Sequence, residues 1–149
     1  MKVFIMGLGV SGFLFTNLAF AACPSGSKTL FFCNTQKANK QIEVCDAGKT
    51  ISYSFGKKGQ KPELAISVPR SQASTYQWQG IGRYISYAVD IPNGDYNYNV
   101  FWSVDRITEE HAVEAGVNVE KKDKLLTTVY CQEKGLINNL EGVKLKASE

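Results

Sequence analysis

The chain is poor in the residues that most hydrolytic and metal chemistry needs. It holds one histidine, His111, and four cysteines, none of them in a C-x-x-C spacing. A catalytic triad needs a histidine in reach of both a nucleophile and an acid. His111 lies among charged and small residues in an expected turn, no G-x-S-x-G elbow exists, and the residue reads as a solvated surface histidine. Glu109 and Glu110 are adjacent and point apart on most backbones, whereas glycoside hydrolysis needs two facing carboxylates. Gly80-Ile81-Gly82 lacks the third glycine of a dinucleotide fingerprint and precedes a strand, so it marks a bend or bulge. The expectation is a chain with no catalytic, metal or cofactor site. Charge is also scarce: 17 basic against 14 acidic residues give +3, too weak and too dispersed to argue for nucleic acid.

Long apolar runs are absent as well. The longest, residues 3–15 (VFIMGLGVSGFLF), has thirteen residues and three glycines, short of the roughly 20 that cross a membrane. Lys2 before it and Ala19-Phe20-Ala21 after it complete the pattern of a cleavable secretory signal over residues 1–21. Residues 22–149 then form a single domain with charge +2, periplasmic or secreted, with no transmembrane segment expected in the mature chain. Phe20-Ala21-Ala22-Cys23 also approaches a lipoprotein cleavage site, with Cys23 as the lipidated residue. Four cysteines pair fully only if Cys23 stays a thiol, so the soluble product is preferred.

What is present is alternation and an even cysteine count. Cys23, Cys33, Cys45 and Cys131 should pair as two disulfides in an oxidising compartment. Three pairings are open. Cys33 with Cys45 would close a predicted hairpin and leave Cys23 with Cys131, whereas Cys33 with Cys131 would join the first and last strands. Period-two patterns predict strands over residues 29–34, 41–45, 51–55, 64–68, 82–91, 95–104, 113–119 and 124–131. Asn93-Gly94 is the turn signal of the central hairpin. One helical turn is expected over residues 107–111, capped by Thr108, and a short C-terminal helix over 136–140. The predicted fold is all-β, an antiparallel barrel or sandwich of about eight strands.

Binding chemistry is better supplied than catalysis. The segment 56–61 (GKKGQK) places Lys57, Lys58 and Lys61 on a glycine-bounded tip. The segment 69–80 (PRSQASTYQWQG) reads as a long loop carrying Arg70, Ser71, Tyr76 and Trp78, with Arg83 close behind. Trp, Tyr and Arg dominate binding energy at protein interfaces. Opposed to this stand solvated lysine tips and a Trp78 folded back as a lid on the core.

The signal peptide, Phe31-Phe32-Cys33 in an early strand, serial short strands and Val129-Tyr130-Cys131 in the last strand resemble the bacterial membrane-bound and periplasmic inhibitors of C-type lysozyme. That resemblance implies an eight-stranded barrel, a muramidase partner, and a loop that puts serine and lysine groups against the catalytic carboxylates. Ala73-Ser74-Thr75-Tyr76 corresponds only in part to the family's serine-glycine-tyrosine segment, and its later tyrosine-to-lysine-glycine motif is absent after Tyr98, so no functional residue carries over. The leading expectation is a non-enzymatic envelope binding or inhibitor module with a protein partner, a muramidase or a toxin. The alternatives are a glycan hydrolase using carboxylates such as Asp90, Asp95 and Asp105, and a structural or stress-induced secreted domain.

Overall fold

A computed structural model describes residues 23–149; the predicted signal peptide and the cleavage site lie outside the described residues. Eleven strands follow one another: β1 Lys28–Asn34, β2 Lys40–Asp46, β3 Thr50–Lys57, β4 Leu64–Pro69, β5 Ser74–Gln77, β6 Tyr84–Asn93, β7 Tyr96–Asp105, β8 Val113–Lys121, β9 Lys124–Tyr130, β10 Ile137–Asn138 and β11 Lys146–Ala147. They form a five-stranded sheet in the order β10-β1-β2-β3-β4 and a six-stranded sheet in the order β11-β5-β6-β7-β8-β9. Every pairing is antiparallel except β11 with β5. The sheets do not close into a barrel; between β1 and β9 only one isolated bridge forms, Thr35 to Cys131.

Alternation decides which faces meet. Phe31, Ile42, Val44 and Ile51 from the smaller sheet and Val89, Ile91, Val100 and Val117 from the larger join one buried cluster. Tyr53 of β3 stacks on Tyr98 of β7 inside it, centroids 5.0 Å apart. Leu30 and Phe31 are consecutive yet both buried, because the β1–β2 register shifts between Thr29 and Phe31. Such a bulge turns two neighbouring side chains the same way.

Four sequence expectations change. Residues 136–140 are not a helix. Ile137–Asn138 pairs with β1, and the Asn138 side chain accepts the Leu140 N–H at 3.2 Å. A five-residue helix is too short to repay its nucleation, and the Asn side chain offers the backbone a competing bond. The expected helical turn over residues 107–111 is a single hydrogen-bonded turn, His111 N–H to Thr108 O at 3.3 Å, and its cap is Asp105 instead of Thr108: the Asp105 side chain accepts from Ile107 N–H at 3.0 Å and Thr108 N–H at 3.4 Å. The supposed loop over residues 69–80 contains β5. Its inward residues, Thr75 and Gln77, are polar, so hydropathy hid the alternation. Thr75 donates to the Ala88 carbonyl at 2.7 Å and Gln77 to the Leu140 carbonyl at 2.9 Å. Finally, the central hairpin turns on Gly94 and Asp95, with Asn93 still paired to Tyr96. Only Gly94 has positive φ (61°), which fits a turn with glycine at its first central position.

The disulfides are Cys23–Cys45 and Cys33–Cys131. The first-to-last-strand option therefore holds. Cys33 cannot reach Cys45, because Cys45 pairs with Thr29, four residues along β1, roughly 13 Å away at ordinary strand rise. Two bridges point to an oxidising, extracytoplasmic environment. Among the described residues no helix is long and apolar enough to cross a membrane.

The bridges enclose very different loops, with sequence separations of 22 and 98 residues. Chain entropy alone makes the Cys33–Cys131 bridge worth about 1 kcal/mol more than the other. Paired Cys→Ser variants should each unfold at lower urea concentration, the C33S/C131S protein lowest; the reverse order would assign the stabilisation to native-state packing around Cys23–Cys45.

Candidate functional site

The expected binding residues occupy four separate places. Lys57, Lys58 and Lys61 cluster at the β3–β4 tip and are exposed. The tip is held: Lys58 N–H donates to Asn39 O at 3.3 Å and Gln60 N–H to Lys57 O at 3.1 Å. At Gly56 a Cβ would lie 2.9 Å from both Pro62 Cα and Glu63 N, so only glycine lets the two arms approach. Among the described residues none of these three lysines forms an ion pair, whereas Lys40 behind them binds Glu63 at 2.8 Å.

Arg70 and Ser71 lie at the opposite strand ends, in the β4–β5 connection. Arg70 is committed. It donates to Asp46 at 2.6 Å and to the Lys144 carbonyl at 2.8 and 3.1 Å, clamping the C-terminal segment. Burial would raise the Asp46 carboxyl, but the Arg70 hydrogen bond and charge, with the Gly48 N–H, bring it below its ordinary value. Tyr76 stands half-exposed on the outer face of the larger sheet.

Trp78 and Arg83 belong to a fourth place, the loop between β5 and β6. Trp78 leans on the core as the lid reading has it, and its indole N–H donates to Ile81 O at 2.9 Å. Arg106 stacks over the indole at 5.3 Å, and its backbone N–H donates to Arg83 O at 3.1 Å. Arg83 forks onto one oxygen of Asp105 at 2.6 and 2.9 Å. Asp105 is buried; Arg83's hydrogen bond, the Ile107 N–H and the Arg83 charge hold its carboxyl well below the usual carboxylate range against the cost of desolvation. His111 has positive φ (44°) and donates from Nδ1 to the Asp105 carbonyl at 3.0 Å.

These bonds lock two adjoining loops, and the locked loops display apolar residues that sequence reasoning passed over. Ile81 is 85% exposed, Ile107 70% and Tyr84 52%. The available signal was an isoleucine between two glycines in a polar stretch, and a second isoleucine outside any alternating run. Register places the lysine tip beside the C-terminal end of β1 and these loops at the sheet end where β9 finishes, and the Thr35–Cys131 bridge joins those two strand ends.

The three acids of the hydrolase alternative are dispersed. Asp105 is tied to Arg83, Asp95 lies at a hairpin turn 3.8 Å from Lys122, and Asp90 is on the outer face of the larger sheet. There Asp90 faces a different acid, Glu120: one amide, Asn97 Nδ2, donates to both at 2.9 and 3.0 Å. The acids border an open cleft of about 640 Å³; of its lining, sequence analysis picks out only Tyr76 and Asp90 as site candidates, in separate roles. Cys23, Glu43 and Cys45 also lie together, but the two sulfurs are spent on each other.

No family model, curated protein or solved structure matches this chain.

Because Asp105 titrates lower in the folded chain than unfolded, the stability it contributes is present above about pH 4 and is lost as pH falls toward its folded value. Urea melts of wild type and Asp105→Asn should differ most near neutral pH and converge below about pH 4. A gap that stays constant across that range would mean that Asp105 acts through packing and not through its charge.

Proposed function

We propose that this chain is a non-catalytic binding module of the bacterial envelope that docks a protein partner through its loop end. One observation carries the reading: Ile81 is 85% exposed on a loop that is not free to bury it. The Trp78 indole and the Arg106 guanidinium both hold the Gly80–Gly82 backbone, at 2.9 and 3.4 Å, so the side chain is presented in a fixed place. Rigid display of apolar surface is a mark of interaction sites, and it limits the entropy lost on binding. Around Ile81 stand Ile107, Tyr84, Arg83 and Arg106, the aromatic and arginine types that supply most interface energy.

The lysine tip adds charge to the same end. Lys57, Lys58 and Lys61 suit a partner whose cleft presents carboxylates, and a peptidoglycan-cleaving muramidase has such a cleft. The likeness of Phe31-Phe32-Cys33 and Val129-Tyr130-Cys131 to the lysozyme inhibitors supports that partner class, with a delivered wall-degrading toxin as its variant. Periplasmic or secreted residence of the soluble mature chain belongs to the same proposal.

A turbidity assay with a panel of muramidases, run on the mature protein, tests this. Wild type should slow lysis. Lys57→Ala/Lys58→Ala and Ile81→Asp should each weaken inhibition by roughly 2 kcal/mol or more, as loss of an interface anchor or buried charge does. Thermal melts should be unchanged, since all three residues are exposed. Absence of inhibition of every muramidase tried would remove the inhibitor reading, and clearing of sacculi by the protein alone would remove the non-catalytic one.

A further inference from the structure

We propose that the outer face of the six-stranded sheet is a binding site for a neutral or amino-bearing oligosaccharide. This goes beyond the loop-end docking reading and uses none of its residues.

Strand register writes two parallel stripes across that face. One stripe runs Ser74, Asp90, Asn99, Asn118, Thr128 through β5, β6, β7, β8 and β9. The other, two residues along each strand, runs Tyr76, Ala88, Phe101, Gly116, Tyr130. Two residues of strand separate the stripes by about 7 Å. The first is wholly polar and the second is aromatic with two small residues between.

The polar stripe is pre-organised. Asn97 and Asn99 both donate to Asp90 Oδ1 at 2.9 Å, Asn118 donates to Asn99 Oδ1 at 3.1 Å, and Thr128 donates to Asn118 Oδ1 at 2.7 Å. Ser148 closes the other side by donating to Asp90 Oδ2. A carboxylate only accepts, so the amide ends of Asn97 and Asn99 are fixed by Asp90, and each further group by the one before it. Capacity is left over. Asn99 and Asn118 each retain one Nδ2–H, while Asn97 Oδ1, Glu120 Oε1 and Thr128 Oγ1 retain acceptor positions. A set of donors and acceptors held side by side matches sugar hydroxyls, which do both.

The aromatic stripe supplies the complementary surface. Tyr76 is 47% exposed and borders the cleft; Tyr130 is 44% exposed and meets Phe101 edge-on at 6.4 Å. Gly116 sits between those two rings, where a Cβ would come within 2.2 Å of Val129 O, so the stripe stays low between Phe101 and Tyr130. Ring faces of this kind take the C–H face of a pyranose while the polar stripe takes its hydroxyl edge.

Charge chooses among saccharides. Asp90, Glu120, Asp123 and Glu149 line the cleft against one cation, Lys146. That balance repels uronate, phosphate and lactyl carboxylate groups and admits uncharged or amine-bearing rings.

The test is a titration of ¹⁵N-labelled protein, signal sequence removed, with three trimers: N-acetylglucosamine, glucosamine and, as the anionic control, galacturonate. The side-chain amide signals of Asn97, Asn99 and Asn118 should shift saturably with the first or second trimer, at about millimolar concentration or below, and not with the third. Tyr76→Ala, exposed and without a structural hydrogen bond, should weaken that binding roughly tenfold with an otherwise unchanged spectrum. Lys57→Ala/Lys58→Ala should leave it untouched, which separates this site from the loop end. No shift up to about 10 mM, shifts confined to other surfaces, preference for the galacturonate trimer, or unchanged affinity in Tyr76→Ala would each overturn the proposal.

Discussion

The junction of the first and last long strands is the constraint on which the rest depends. There the Cys33–Cys131 bridge joins the two sheets covalently, and Thr35 sits 1% exposed beside it. Gln36 N–H bonds Tyr130 O, Gln132 N–H bonds Asn34 O, and the Gln132 side chain bonds Thr35 O at 3.0 Å. Elsewhere the sheets touch mainly through side chains, whose packing sets distance better than orientation. The covalent and backbone links at this corner fix which strand ends face the same way. They thereby bring the lysine tip and the Trp78–Arg106 loops to a common end.

Faces that obey hydropathy were legible in the sequence; faces that do not were lost. The alternation of β3, β4, β6, β7 and β8 reads directly from Ile51-Ser52-Tyr53 or Val117-Asn118-Val119. β5 escaped because its inward residues, Thr75 and Gln77, satisfy themselves by hydrogen bonds instead of by being apolar. β10 and β11 escaped because two-residue strands carry no period at all. The pairing of Cys33 depended on a hairpin register that the turn sequence did not specify. Its actual turn spans Gln36 to Asn39, with Ala38 and Asn39 at positive φ, and shifts the partner of Cys33 from Cys45 to Ile42.

For the candidate sites the contrast is sharper. Residue type suggested Arg70, Trp78 and Arg83 as contact residues, but type says nothing of prior commitments. Arg70 clamps Lys144, Arg83 holds Asp105, and Trp78 supports a loop whose apex is Ile81. Here arginine and tryptophan shape the surface, and isoleucine occupies it. The outer stripes were invisible for a different reason. Asp90, Asn99, Asn118 and Thr128 are spread over thirty-nine positions of sequence, and only the ladder register of four strands lines them up.

The amide row also has a sense. Because Asp90 accepts at one end and Thr128 is the last donor at the other, every group between them leans the same way. The row is therefore not superimposable on its own reversal: read from β6 to β9 it presents one sequence of donors and acceptors, and read from β9 to β6 a different one. A linear molecule with distinguishable ends would meet a different pattern in each of its two orientations. A single carboxylate on the outer face thus gives an open sheet surface a polarity that its shape alone does not possess.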